Sequence, residues 1–383
     1  MVAADKKVFL NNKNLKRDSG LELFRIITML LIVAHHYVVN SGMMFAGGPI
    51  ATSPTSGKSI FLLLFGAWGK TGINCFVLIT GYFMCKSNIT LKKFLKLVLE
   101  VEFYRIVIYF IFVSTGYVSF SLVPFIKLLL PVTNVSDNFT GCYIAFFLFI
   151  PFINKLVHNI SEKQHIYLIT IACFIYVFLG TIPKFGVTMN YVSWFITLYF
   201  ISSYIRLYPK KIFESSRLWG FVAVSSLIAS AISVIYCVWL GARIGRFMPY
   251  YFLTDSNKIM AVVTALSAFL FFKNLKFKSS FVNTIAASCF GVLLIHANSD
   301  AMRNWLWKDL LNNVGMYNSQ WLIVHAFVSV IMIYVVCTVI DFVRINLLEN
   351  SFFTFADKHI QKFAECFEKA ESKLCNKLNI REE

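Results

Sequence analysis

The sequence predicts an all-α, polytopic membrane protein of about ten transmembrane helices with both termini on the cytoplasmic side. Three observations predict it. Of 383 residues, 58% are hydrophobic and only 14% are charged, a composition foreign to soluble domains. Apolar runs of about 20 residues, the length a helix needs to cross a bilayer, recur along the chain. Lys and Arg concentrate in alternate segments between those runs, as the positive-inside rule requires of cytoplasmic loops.

Each element follows in order. The N-terminal segment holds Lys6, Lys7, Lys13, Lys16 and Arg17. It enters the first run without a small-residue cleavage site and reads as a retained anchor. The first run, 21–40, carries Glu22, Arg25, His35 and His36 inside otherwise apolar sequence. Ionisable groups cost several kcal/mol at membrane depth, so such residues mark a functional path. On a helix, Arg25 and His36 share one face about 16 Å apart in height, and Glu22 joins them. His35 points about 100° away and reads as structural.

The Gly-, Pro-, Ser- and Thr-rich stretch 41–59 reads as a flexible outer loop beside the His end of that helix. The second run, 60–85, descends from outside and brings Lys70 and Asn74 near the level of His36, with glycines that permit close helix packing. The third run, 95–117, rises from inside, so Glu100, Glu102 and Arg105 fall in its inner half. At helical spacing Glu100 is expected to pair with Lys96, and Glu102 with Arg105. Runs 140–157, 165–182, 190–208, 217–240 and 256–273 are plain spans. The ninth, 281–298, brings His296, Asn298, Asp300 and Arg303 to its outer end, and the tenth, 321–345, returns inside.

Residues 1–345 thus form the membrane domain and 346–383 a cytoplasmic tail. In that tail Phe355, Ile360, Phe363, Phe367, Leu374 and Leu378 recur near a helical period, as in a helix lying on the inner membrane surface. The formal charge of +17 follows this topology, so no nucleic-acid partner is expected. The nine Cys show neither disulfide nor metal-ligand spacing and read as small apolar packers; no metal is expected.

Two polar clusters at two depths emerge: Glu22, Arg25, Glu100, Glu102 and Arg105 inside, and His36, Lys70, Asn74 and His296 outside. An inner arginine pair suits a phosphorylated cytoplasmic donor, because guanidinium binds phosphate through paired charge-assisted hydrogen bonds. An outer histidine suits proton abstraction from a hydroxyl. The same polar groups would also serve a secondary transporter or a glycan flippase, which often shows broken-helix repeats. No internal repeat is evident in the sequence.

The run from Ser19 to His36, SGLELFRIITMLLIVAHH, resembles the opening of the acyltransferase-3 family of integral membrane acyltransferases, with its acidic residue, Arg and His at this spacing. Gly72 to Phe83 is similar to the family's second-helix signature, with Thr80 in place of the commoner Ser before Gly81. Ser193 to Tyr208 and Cys289 to Asn298 resemble later segments, especially in the branch that acetylates bacterial surface polysaccharides. The resemblance runs to about residue 345. It implies a multi-pass enzyme of the bacterial cytoplasmic membrane that takes acetyl from cytoplasmic acetyl-CoA. The acceptor it implies is a hydroxyl of an envelope glycan or lipid-linked sugar.

Carried over by position, His36 matches the catalytic histidine, as general base or transient acyl carrier, and Arg25 the upstream arginine. Glu22 stands where the family more often has Asp. Many members carry two arginines three apart in the third helix, whereas this chain offers Arg105 beside Tyr104. The expected site is therefore His36, Glu22 and Arg25 for catalysis, Arg25 and Arg105 for the donor, and Lys70, Asn74 and His296 for the acceptor.

Overall fold

The structure, a computed structural model, describes residues 17–130, 139–187 and 189–349. The basic residues Lys6, Lys7, Lys13 and Lys16 and the expected amphipathic tail helix lie outside the described residues. Among those described, the chain is helical without strands: α1 (Ser19–Val39), α2 (Gly57–Phe65), α3 (Gly69–Met84), α4 (Leu91–Ser114), α5 (Phe139–Asn159), α6 (Glu162–Cys173), α7 (Tyr191–Leu207), α8 (Ser216–Ile244), α9 (Ile259–Lys273), α10 (Ser280–Ala286), α11 (Cys289–His296), α12 (Asp300–Asn304) and α13 (Leu322–Arg344).

Every apolar run of the sequence falls on one of these helices or on a consecutive pair, except that the run 165–182 continues from α6 into a π-helical turn, Phe174–Leu179. Six stretches, α2 and α3 counted together, are long and apolar enough to cross a membrane alone, and a seventh arises if α10–α11 and the segment after it count as one bent span. The other expected spans fall short for identifiable reasons. Lys92, Lys93, Lys96, Glu100, Glu102 and Arg105 charge α4, while α7 has only 17 residues and α9 only 15.

Local chemistry sets the ends. The Asp18 carboxylate accepts from the backbone N–H of Gly20 and Leu21 at 3.1 and 3.3 Å and so caps α1. The predicted second span breaks at Gly66–Trp68 into α2 and α3. The ninth ends in a sharp corner, with a 93° bend between Ser280–His296 and Asp300–Met316. The stretch 41–59 is not a flexible loop. Met43 and Ile50 are fully buried, and the Ser56 and Ser59 hydroxyls bond Tyr317 at 2.7 and 2.8 Å, so apolar and hydroxyl anchors pin what composition read as loose.

The first helix occupies the centre, packed against α3, α9, α10, α11 and α13. Near its start, Leu21 and Phe24 join an apolar cluster with α3, α5, α7 and α9. From Met29 to its end it joins another with α4, α11 and α13. In lipid the hydrophobic effect does not drive helices together, so packing and polar ties hold them. On α8 and α9 such ties are the hydroxyl pairs Ser226–Ser267 and Ser230–Thr264, at 3.3 and 3.2 Å.

A stronger tie lies at one end of the bundle. Arg344, the last residue of α13, is only 8% exposed. Its Nε donates to Asp341 Oδ1 at 2.9 Å and its Nη2 to Glu100 Oε1 at 2.8 Å. Tyr104 donates its hydroxyl to the same Asp341 oxygen at 2.7 Å. Glu100 thus bonds Arg344, 244 positions away, in addition to whatever it meets on its own helix. Gly291 makes room for this group, since a Cβ there would sit 2.2 Å from Asp341 Cγ.

Removing one partner of a buried ion network costs about 3–5 kcal/mol because the remaining charges stay buried. Arg344→Met is therefore expected to lower the thermal midpoint of the detergent-purified protein sharply, while Lys184→Met, at an exposed turn, leaves it in place. Equal midpoints for the two variants would show that the network holds nothing together.

Candidate functional site

Two adjacent histidines of α1 take different roles because they project about 100° apart. His35 Nδ1 lies 2.7 Å from the carbonyl oxygen of Gly66, at the break between α2 and α3. Gly69 accepts the ring, since a Cβ there would lie 2.2 Å from His35 Cγ. The broken second span is thus shaped to seat His35, and α1 is locked in rotation by it.

On its neighbouring face, His36 Nδ1 meets His296 Nε2, the last residue of α11, at 3.0 Å. The other nitrogen of His296, Nδ1, lies 2.6 Å from the Val292 carbonyl oxygen. A carbonyl only accepts, so Nδ1 of His296 carries its hydrogen. With both rings neutral, Nε2 of His296 then accepts, and the hydrogen in the shared bond belongs to His36 Nδ1. Nε2 of His36 is left with a free lone pair. A backbone carbonyl, through one imidazole, sets the tautomer of the next.

His36 lines a cavity of about 540 Å³ together with Lys70, Arg105, Tyr191, Asn298 and Arg303. Lys70 Nζ donates to the Tyr191 hydroxyl at 2.8 Å. Arg105 donates to Glu102 at 2.7 Å, and Arg303 to Asp300 at 3.0 Å. Two of these three cations have carboxylate partners, whereas Lys70 bonds a phenol. The 93° corner after α11 carries Asn298 and Arg303 to the cavity wall.

The structure redistributes the expected site. Arg105 stands on the same cavity wall as His36, not beside Arg25. The reason is helix length: α4 begins at Leu91, four residues before the apolar run, which raises Arg105 by about 6 Å. Asn74 is fully buried away from the cavity. Its amide donates to the Ser256 carbonyl at 2.6 Å and its oxygen accepts from Trp194 Nε1 at 2.9 Å, so it joins helices and does not face an acceptor. His296 contacts His36 but does not line that cavity.

Glu22 and Arg25 lie together farther down α1. Arg25 Nη1 donates to both carboxylate oxygens of Glu22 at 3.2 and 3.3 Å, and Glu22 is 5% exposed while Arg25 is partly open. Neither lines the cavity around His36. The wall residues Tyr191 and Arg303 were absent from the expected site. Arg303 sits at the mouth of the ninth run, where a charged residue has the signature of an ordinary interfacial anchor. Among the described residues, no group of His, Cys, Asp and Glu has a geometry that would hold a metal ion.

Comparison with known proteins places the chain. Residues 18–342 match the family model described as an acyltransferase domain. No curated protein and no solved structure matches. The match covers most of the sequence, so the chain belongs to the acyltransferase-3 family and is a membrane acyltransferase.

In ring-¹⁵N-labelled protein at neutral pH, His36 is expected to show a protonated Nδ1 and an unprotonated Nε2. His296→Ala should let the ring drift to a mixture with substantial Nε2–H. A wild-type His36 already in the Nε2–H form contradicts the hydrogen-bond chain.

Proposed function

We propose that the protein transfers an acetyl group from cytoplasmic acetyl-CoA to a hydroxyl of an envelope sugar, with His36 as general base. The observation that carries this reading is the bond from His36 Nδ1 to His296, which leaves Nε2 as a lone pair on a helix bordering a polar cavity of sugar-binding size. Imidazole in this form is the side chain best matched to taking a hydroxyl proton near neutral pH.

The residues divide the work. The acceptor hydroxyl gives its proton to His36 Nε2 as its oxygen attacks the thioester carbonyl. Negative charge develops on the carbonyl oxygen, and the ammonium of Lys70 with the guanidinium of Arg105 supplies fixed positive charge on the same cavity wall. The C–S bond then breaks, and the departing sulfur takes the proton from the imidazolium. The enzyme ends with the charge and protonation it began with.

Arg25 fits the donor's phosphates from the inner side. Its pairing with Glu22 orients the guanidinium while the side chain stays partly exposed. The pantetheine arm of CoA is long enough to span the height of about 16 Å between Arg25 and His36 along α1. The acyltransferase family membership supports this reading over solute transport.

Membranes bearing the protein, supplied with radiolabelled acetyl-CoA, are expected to place label in the glycan fraction. His36→Ala should reduce that transfer by about 10²- to 10⁴-fold, the usual contribution of a positioned base. Lys70→Met should lower kcat about 10²-fold, since one oxyanion donor is lost. Undiminished labelling by folded His36→Ala protein would refute the assignment.

A further inference from the structure

The cavity beside His36 carries more positive charge than acyl transfer alone requires. Lys70 from α3, Arg105 from α4 and Arg303 from α12 reach its wall from three separate elements, whereas among the described residues Asp300 is the one carboxylate on that wall. Glu102 pairs with Arg105 from outside the lining. With both carboxylates counted, three cations still meet two anions, so one positive charge is left over. A surplus charge at membrane depth is costly until a ligand of opposite sign pairs with it.

The three cations are not equally engaged. Arg105 Nη1 donates to Glu102 at 2.7 Å and to the Leu130 carbonyl at 3.2 Å. Lys70 bonds the Tyr191 hydroxyl, a neutral partner that leaves the ammonium charge whole, and the acyl-transfer mechanism already employs it at the thioester oxygen. Arg303 is held more loosely. Its Nη1 donates to Asp300 at 3.0 Å, its Nη2 lies 3.4 Å from the Ala297 carbonyl oxygen, and its Nε is buried with no hydrogen-bond partner. The Nε–Nη2 edge is a guanidinium edge that grips an anion side-on through two parallel bonds, and here it makes only the long contact. The Asp300 side chain is 91% exposed, and an ion pair so open to water holds weakly. The Arg303 fork can therefore turn to an anion in the cavity at little cost.

The donor does not bring that anion. An acetyl thioester is neutral, and the phosphates of CoA fit Arg25, about 16 Å away along α1. The missing charge must arrive with the acceptor. We infer that the acceptor sugar itself carries a single negative charge, a carboxylate or a phosphodiester beside the hydroxyl to be acetylated, and that Arg303 holds it. The inference rests on the acyl-transfer reading and gives its acceptor a chemical class. An uncharged sugar leaves the surplus charge unpaired, so the pocket selects against it. Arg303 acts here in binding and takes no part in bond making.

The charge can be read on the wild-type protein's own product. Source-cell membranes in which the protein is overproduced are supplied with radiolabelled acetyl-CoA, and the labelled glycan is cut to labelled mono- and disaccharides and passed over an anion exchanger. The label is expected to bind. Reduction with carbodiimide and borohydride should release it if the charge is a carboxylate, and cold hydrofluoric acid if it is a phosphodiester. Label that emerges with uncharged sugars overturns this inference and leaves acyl transfer standing. Absence of label from every glycan overturns both.

A variant arm assigns the charge to its partner. Arg303→Met is expected to cut labelling at limiting acceptor about tenfold, equivalent to ~1.4 kcal/mol, with KM for acetyl-CoA and the thermal midpoint unchanged, and Arg303→Lys should recover part of the loss. Unchanged labelling, or a rise in KM for acetyl-CoA in its place, overturns the role of Arg303. His36→Ala should abolish the charged label. Charged label that persists undiminished in that variant sinks the assignment of His36, and the acceptor's place beside it falls too.

Discussion

A single hydrogen bond between imidazoles, His36 Nδ1 to His296 Nε2 at 3.0 Å, joins the central helix to the end of α11. Much of the surrounding structure reads as support for it. The Val292 carbonyl fixes one ring, and His35, seated against Gly66 and Gly69, fixes the rotation of α1. The bend after α11 ends that helix at His296, so the buried ring lies at a helix terminus. Without that corner the ninth span would run straight out of the membrane and carry Arg303 away from the cavity.

The second constraint is the cost of charge in a low-dielectric interior, which the bundle meets by pairing. Glu22 with Arg25, Glu102 with Arg105, Asp300 with Arg303, and Glu100 and Asp341 with Arg344 are all within 3.3 Å. These pairs have different consequences. The Arg344 group is buried and closes one end of the bundle. The Arg105 and Arg303 pairs stand at a cavity, where half-neutralised guanidinium groups keep donors for a bound anion. Lys70, bonded to a phenol, holds the least compensated charge on that wall.

The helices and the polar face of α1 were legible in the sequence, because apolar runs of bilayer length and ionisable residues inside them are both local signals. What the sequence hid depends on distant partners. Nothing local in the sequence links Arg344 to Glu100, 244 residues away. Asn74 looked like a ligand for the same reason that it is a tie: a buried amide must bond something, and only the fold shows that Ser256 and Trp194 satisfy it. Arg105 was misplaced by the early start of α4 among lysines, where apolar content does not mark the helix boundary. The break at Gly66 and the corner after His296 are backbone events in glycine-containing and polar stretches. There periodicity signals an interruption without giving its angle.

The account reduces to one geometric claim, that Nε2 of His36 is aimed at the reacting hydroxyl. A structure of the protein with a non-transferable acetyl-CoA analogue and its sugar acceptor tests this most directly. The account predicts the acceptor oxygen about 3 Å from His36 Nε2, with Lys70 beside the thioester oxygen and the His36–His296 bond intact. An acceptor hydroxyl bound away from that nitrogen, with the imidazole pair broken or facing no substrate atom, would contradict it.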